Sequence, residues 1–268
     1  MSLYFTKTAR APSCADKYAH SFTAAYHDEE RSIVVACKGR TDALGLRAQQ
    51  GARLACEAAS DVLRATEKSA FSPQKRQASI ENIRYNVLCE WTARIEKHLT
   101  EQPLTHKELK ELSPNDARAL RQNALFAYGT TLHAAMLISG KLICLSLGKG
   151  GCFLVKCGGV RSPFPLDRGD CLLSEKDAST QLQVCVQELC GHDGAFVCTD
   201  GLLRPYRDLG ALCTDVVAPA VLELCDGNGK RLSELVSHIG TKHDTDVSLG
   251  LVLKEGVCLR RAAIAQAV

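Results

Sequence analysis

The sequence has no C-x-x-C pair, although 14 of its 268 residues are cysteine. Zinc knuckles and redox dithiols use that spacing, so its absence argues against structural zinc. Most of the cysteines sit inside apolar runs such as Ile143-Cys144-Leu145, Val184-Cys185-Val186 and Val197-Cys198-Thr199. There cysteine acts as a small buried hydrophobe. Residues 1–13 (MSLYFTKTARAPS) lack the apolar core of a secretion signal, so a reducing, cytoplasmic location is expected. No apolar stretch approaches the ~20 residues of a membrane span. Basic blocks are missing too, and 33 basic side chains against 30 acidic ones leave a net charge of only +3. Neither nucleic acid nor a membrane is therefore an expected partner.

No internal repeat or low-complexity linker divides the chain, and a single domain over residues 1–268 is expected. With 46% apolar and 24% charged residues, it can bury a sizeable core. Residues 3–10 partly alternate and read as a strand. Residues 18–26 and 32–36 read as a hairpin around the polar tip 27–31. The period then changes. Leu44, Ala48, Ala52, Ala55, Ala59 and Leu63 share one helical face within 41–67. Ile80, Ile83, Val87, Trp91 and Ile95 do the same within 72–100, where Ser72-Pro73 suits a helix start. A charged, helix-prone stretch at 104–122 contains a second such start at Ser113-Pro114.

Strands return in the second half, with a hairpin of 129–138 and 142–147 and a run at 152–155. A loop region follows over 157–180, and then strands at 181–188 and 195–199. Helical material at 209–224 and 231–239 precedes a closing strand at 247–253. Strand runs separated from helix runs predict an α+β domain with mostly antiparallel sheet.

One stretch carries chemistry. The apolar run Ala195-Phe196-Val197-Cys198 ends in Thr199-Asp200-Gly201. A buried strand stopping there delivers one carboxylate to a sheet rim, a common way to hold a hard cation. Taken alone, Asp-Gly also reads as an ordinary turn with a solvated Asp.

In company, Phe196-Val197-Cys198-Thr199-Asp200-Gly201-Leu202 resembles the strand ending in Ser/Thr-Asp-Gly of the metal-dependent type 2C protein serine/threonine phosphatases (the PPM family). Tyr128-Gly129-Thr130-Thr131-Leu132 is similar to that family's Gly-Thr-Thr strand. Residues 143–150 resemble its strand ending in Gly-Asp, and Asp246-Val247-Ser248-Leu249 its closing element. Ile33-Val34-Val35-Ala36 resembles the strand that ends in Ala-Asp-Gly, and Cys14-Ala15-Asp16 falls at an early acidic motif. The resemblance spans nearly the whole chain. It implies a sandwich of two antiparallel β-sheets flanked by helix pairs. It also implies hydrolysis of phosphoserine or phosphothreonine by water held between two Mg2+ or Mn2+ ions, a centre that needs several carboxylates.

The expected metal ligands implied here are Asp16, Asp200 and Asp244 or Asp246, with Arg10 as a phosphate-binding candidate. The sequence departs from the pattern at the chemistry itself. Cys37-Lys38 stand where Asp-Gly is expected, with the bridging carboxylate missing at Cys37. Gly148-Lys149 replace Gly-Asp, and strict register puts Thr245 at the closing Asp. Asp42 is a weak substitute ligand. His20, His27, His133, His192, His238 and His243 show no ligand spacing and read as surface or core.

Two readings follow. One is a weakly active or inactive pseudophosphatase, a signalling module that binds a Ser/Thr-phosphorylated protein. In it Lys38 or Lys149 stands in for a metal beside Asp200, because an ammonium neutralises carboxylates without polarising water comparably. The alternative is an active hydrolase with a rearranged Mg2+ or Mn2+ centre.

Overall fold

The computed structural model describes residues 3–9, 20–156, 159–165, 169–191, 193–225 and 229–254. The chain opens with β1 (Leu3–Ala9), β2 (Ser21–His27) and β3 (Arg31–Lys38), followed by helices α1 (Ala48–Ala65), α2 (Arg76–Glu101), α3 (His106–Lys110) and α4 (Pro114–Gln122). Strands β4 (Leu132–Ile138), β5 (Lys141–Leu147), β6 (Gly150–Lys156) and β7 (Gly159–Arg161) come next, then α5 (Ala178–Gln181) and β8 (Gln183–Glu188). Strand β9 (Gly194–Thr199) leads directly into α6 (Asp200–Leu203). The last elements are α7 (Leu209–Leu212), α8 (Ala218–Cys225), α9 (Lys230–His243) and β10 (Val247–Leu253).

The strands form two five-stranded sheets, ordered β1-β10-β9-β6-β7 and β2-β3-β4-β5-β8. Every pairing in both is antiparallel. The sheets pack face to face through Val34, Ala36, Ala135, Cys144, Cys152, Leu154, Val197 and Val252. Strand alternation sends neighbouring residues outward. Ile33, Val35 and Cys37 meet Ala52, Ala55, Ala59 and Leu63 of α1 and Trp91 and Ile95 of α2. On the opposite side, Phe196, Cys198, Leu249 and Leu251 meet Val216, Val221, Val236 and Ile239. The expected α+β sandwich flanked by helices is what the chain forms.

Local signals explain the elements and some shifted boundaries. Ser113 caps α4 by accepting the Asp116 N–H at 3.1 Å, with Pro114 in the first turn. Ser72-Pro73 starts no helix directly. The Ser72 carbonyl accepts from Lys75 and Arg76 in a preceding turn, and α2 begins at Arg76. Helix α1 starts at Ala48, later than its periodicity predicts. Asp42 ties up the chain before it, accepting from Leu44 through its side chain and from Gly45 through its carbonyl. The helical stretch at 209–224 is interrupted by a wide π-type turn over Cys213–Val217. The 157–180 loop contains the short β7. Strand β3 runs two residues beyond its expected end at Ala36, and that extension sets the geometry of the site.

Candidate functional site

Asp200 sits where the sequence puts it, at the end of β9 and the start of α6. Gly201 permits this turn because its Cα lies against the chain before β10. A Cβ there would fall 2.0 Å from the Asp246 carbonyl oxygen. Facing Asp200 from the other sheet is Lys38, the last residue of β3. Its backbone is fixed by Thr131, whose Oγ1 accepts the Lys38 N–H at 3.1 Å. In turn the Thr131 N–H donates to the Lys38 carbonyl at 2.9 Å.

Lys38 Nζ donates to Asp200 Oδ1 at 2.8 Å. The two side chains are only 9% and 14% exposed. Arg204, one helical turn on from Asp200, donates Nη2 to the other oxygen, Oδ2, at 2.6 Å. Burial pushes the Asp200 carboxyl up. The charges and hydrogen bonds of Lys38, then Arg204, outweigh it and hold the group below its ordinary range. Asp200-x-x-x-Arg204 is an i,i+4 spacing visible in the sequence, and the α6 turn makes it this contact.

Cys37 does not face this pair. It is fully buried in the layer under α1, beside Cys56. The resemblance had put the missing bridging carboxylate at Cys37. Alternation along β3 instead gives Lys38 the face toward Asp200, with Gly39 next in the chain. Lys149 does not reach Asp200 either. It is largely exposed, and its Nζ donates to Asp170 Oδ2 at 2.8 Å.

The remaining sequence candidates divide. Asp246 is buried, and its Oδ2 accepts the His20 N–H at 2.8 Å. Thr245, also buried, has its Oγ1 against Gly201. Asp244 is the exposed, left-handed residue that caps the C-terminus of α9 (φ 45°). Asp42 is held by Arg40 through Nε at 2.7 Å and Nη2 at 2.6 Å. Arg10 and Asp16 lie outside the described residues.

Two histidines read as ordinary matter in the sequence. His20 lies close enough to both Asp246 and Lys38 to feel their charges. Burial lowers its pKa, Asp246 opposes the shift, and Lys38 adds to it. His133, on β4 between the sheets, donates from Nε2 to the Lys149 carbonyl at 2.9 Å, leaving Nδ1 to accept from Ser146 Oγ at 2.8 Å. It anchors the Gly148–Gly150 turn. No local pattern marks either role, because both depend on chain segments far apart in sequence.

These groups line a cleft of about 280 Å3 formed by Lys38, Gly39, Arg40, Asp42, Thr131, Lys149, Asp170, Glu175, Asp200 and Arg204, with Thr41 and Leu172. Its four cations, Lys38, Arg40, Lys149 and Arg204, face the four carboxylates of Asp42, Asp170, Glu175 and Asp200. Every one of those cations already holds a carboxylate. Arg204 is the most exposed, at 64%. Such a cleft offers hydrogen-bond donors to an anion.

A sequence profile described as Protein phosphatase 2C matches residues 9–232. No curated protein sequence matches the chain. Among solved structures it is similar to the Mycobacterium tuberculosis serine/threonine phosphatase PstP/Ppp, with TM-score 0.57 and 15% identity over 95% of this chain and 99% of that one. RsbX in complex with magnesium gives TM-score 0.53 and 12% identity over 94% of each chain. A C. elegans sex determining protein gives TM-score 0.63 and 10% identity, covering 97% of this chain and 67% of that one. At these identities the structural likeness speaks to the fold.

Proposed function

The chain belongs to the protein phosphatase 2C family, and from that premise we propose that it is an inactive or weakly active member. On this reading one domain over residues 1–268 binds a Ser/Thr-phosphorylated signalling protein. The observation that carries this reading is the Lys38 ammonium 2.8 Å from Asp200.

PstP has been solved in complex with two manganese ions and RsbX with magnesium. The described residues here fit such ions poorly. Both oxygens of Asp200 are engaged by cations, and an ammonium at 2.8 Å takes the space and the charge that a dication needs. Asp246, the nearby buried carboxylate, already accepts a backbone N–H. No hydrolytic step is therefore assigned to a metal here. Lys38 instead supplies one positive charge that keeps the carboxylate in place. Arg204, Lys149 and Arg40 supply donors at the rim that suit a phosphate monoester. The free cysteines, nine of them buried or half-buried in the described residues, support a reducing cytoplasmic setting.

The reading is tested by aryl phosphate hydrolysis with Mn2+, with chelator and in Asp200→Asn, alongside binding of a phosphoserine peptide and its unphosphorylated form. No turnover, together with phosphate-dependent binding weakened by Arg204→Ala, is the expected result. Turnover that needs Mn2+ and is lost in Asp200→Asn overturns it in favour of an active enzyme with a rearranged centre.

A further inference from the structure

Three cations stand at the rim of the cleft, and each is already held by a carboxylate. Arg40 grips Asp42, two residues along the same loop, through Nε at 2.7 Å and Nη2 at 2.6 Å. Lys149 holds Asp170 at 2.8 Å, and Arg204 shares Asp200 with Lys38. The partners differ in depth. The Asp200 side chain is 14% exposed, whereas those of Asp42 and Asp170 are 57% and 71% exposed. Exposed ion pairs contribute little to stability, so the outer two open at small cost. Neither carboxylate is stranded when they do. Asp42 keeps the Leu44 N–H at 3.1 Å, and Asp170 already faces water. Asp200 keeps Lys38 when Arg204 leaves it.

A donor also waits behind Arg40. The Ser174 hydroxyl is buried and has no hydrogen-bond partner among the described residues. A Cβ on Gly129 would fall 2.8 Å from Ser174 Oγ, 3.0 Å from Arg40 Cδ and 3.2 Å from Leu172 Cδ1. The hydroxyl therefore sits in the wall that Arg40 and Leu172 present to the cleft. Buried hydroxyls seldom lack an acceptor, and this one stands beside the guanidinium whose own partner is exchangeable.

We propose that Asp42 and Asp170 are resident competitors that set a threshold for entry, admitting a phosphate monoester and turning away acidic side chains. The inference rests on the reading that the cleft takes a phosphorylated segment. An aspartate or glutamate on a partner brings one charge and two oxygens. Asp42 and Asp170 supply the same from within the chain, at high effective concentration. Such a partner gains nothing by displacing them. A phosphate monoester carries about −1.5 to −2 charges at pH 7 and three terminal oxygens. It can take the Arg40 fork, the Lys149 ammonium and the Arg204 guanidinium together, with the Ser174 hydroxyl next to the first.

The test is fluorescence anisotropy with one labelled peptide in three forms: phosphoserine, glutamate in its place, and plain serine. The full chain is compared with Asp42→Asn, Asp170→Asn, the double variant, Arg40→Lys and Arg204→Ala. Asparagine at position 42 keeps an oxygen for the Leu44 N–H, and both sites are exposed, so the fold is retained, as thermal melts check. Glu81→Gln, an equal change of net charge on α2 outside the cleft, is the control. Wild type should bind the phosphopeptide and neither other form measurably. Each Asn variant should tighten the phosphopeptide roughly threefold, as for release of one exposed ion pair. The double variant should bring the glutamate peptide into the measurable range, and Glu81→Gln should change nothing. Arg40→Lys keeps the charge but loses the fork, and should weaken the phosphopeptide roughly tenfold.

Unchanged or weaker phosphopeptide binding in both Asn variants overturns the inference. So does equal tightening by Glu81→Gln, or wild-type binding of the glutamate peptide as tight as that of the phosphopeptide. If Arg204→Ala still weakens the phosphopeptide in those cases, the reading of the cleft stands and only the competitors fall. Wild-type protein that binds no phosphopeptide overturns both.

Discussion

Lys38 and Asp200 meet at 2.8 Å across the gap between the two sheets, although 162 residues separate them in the chain. Each stands at the end of a strand, β3 on one sheet and β9 on the other, and each is largely buried. Removing one partner of a buried pair leaves the other charged and desolvated. Lys38→Met should therefore cost about 3 kcal/mol in urea unfolding. Arg204 still holds Asp200 in that variant, so Asp200→Asn, which strands the lysine, should cost at least as much. A double-mutant cycle should return a coupling well above that of an exposed pair.

The register of β3 makes opposite predictions for two adjacent positions. Lys38→Asp puts a second carboxylate beside Asp200 at the cleft. It should fold less stably alone and gain melting temperature with millimolar Mn2+, while the wild type does not respond. Cys37→Asp puts a carboxylate into the apolar layer under α1 with no cation nearby. It should yield little soluble protein at any Mn2+ concentration. Mn2+ rescue of Cys37→Asp, and none of Lys38→Asp, would reverse the assignment of the two residues.

Gly201 has a steric role separable from its neighbour's charge. A methyl at this position falls 2.0 Å from the Asp246 carbonyl oxygen, which is backbone and cannot rotate away. Gly201→Ala should destabilise the protein by about 3 kcal/mol. It should also perturb the amide resonances of Thr245–Val247 more than those of β3.

Acid should loosen the base of α1. Arg47 donates to Glu108 through Nε at 3.0 Å and Nη2 at 3.2 Å, and Thr105 adds its N–H and hydroxyl. Against the upward push of burial, these bonds lower the Glu108 carboxyl from 4.5 to about 2. Because the folded value lies below the unfolded one, the stabilisation is full above pH ~4.5 and disappears as pH falls toward 2. Discounted for the solvent that screens this partly exposed pair, Glu108→Gln should be less stable than wild type by on the order of 1 kcal/mol at pH 7, with the gap closing near pH 2 in thermal melts. Asp200 shifts in the same direction, so wild-type protein should lose further stability in that range.

The sequence by itself determined the order of strands and helices, the apolar faces of α1 and α2, the capped start of α4 and the delivery of Asp200 at the end of β9. Those features follow from periods of 2 and 3.6 residues and from cap and turn chemistry, which act within a few residues of each other. Only the tertiary structure decided which of Cys37 and Lys38 faces the cleft. A one-residue change in where a strand counts from turns every side chain to the other face, and that count is set by pairing with Thr131 and β2. It likewise assigned Lys149 to Asp170, Asp246 to the His20 backbone and the Lys149 carbonyl to His133. These partners sit on segments 16 to 226 residues apart. They meet because two sheets pack face to face, and no local pattern in the chain encodes that distance.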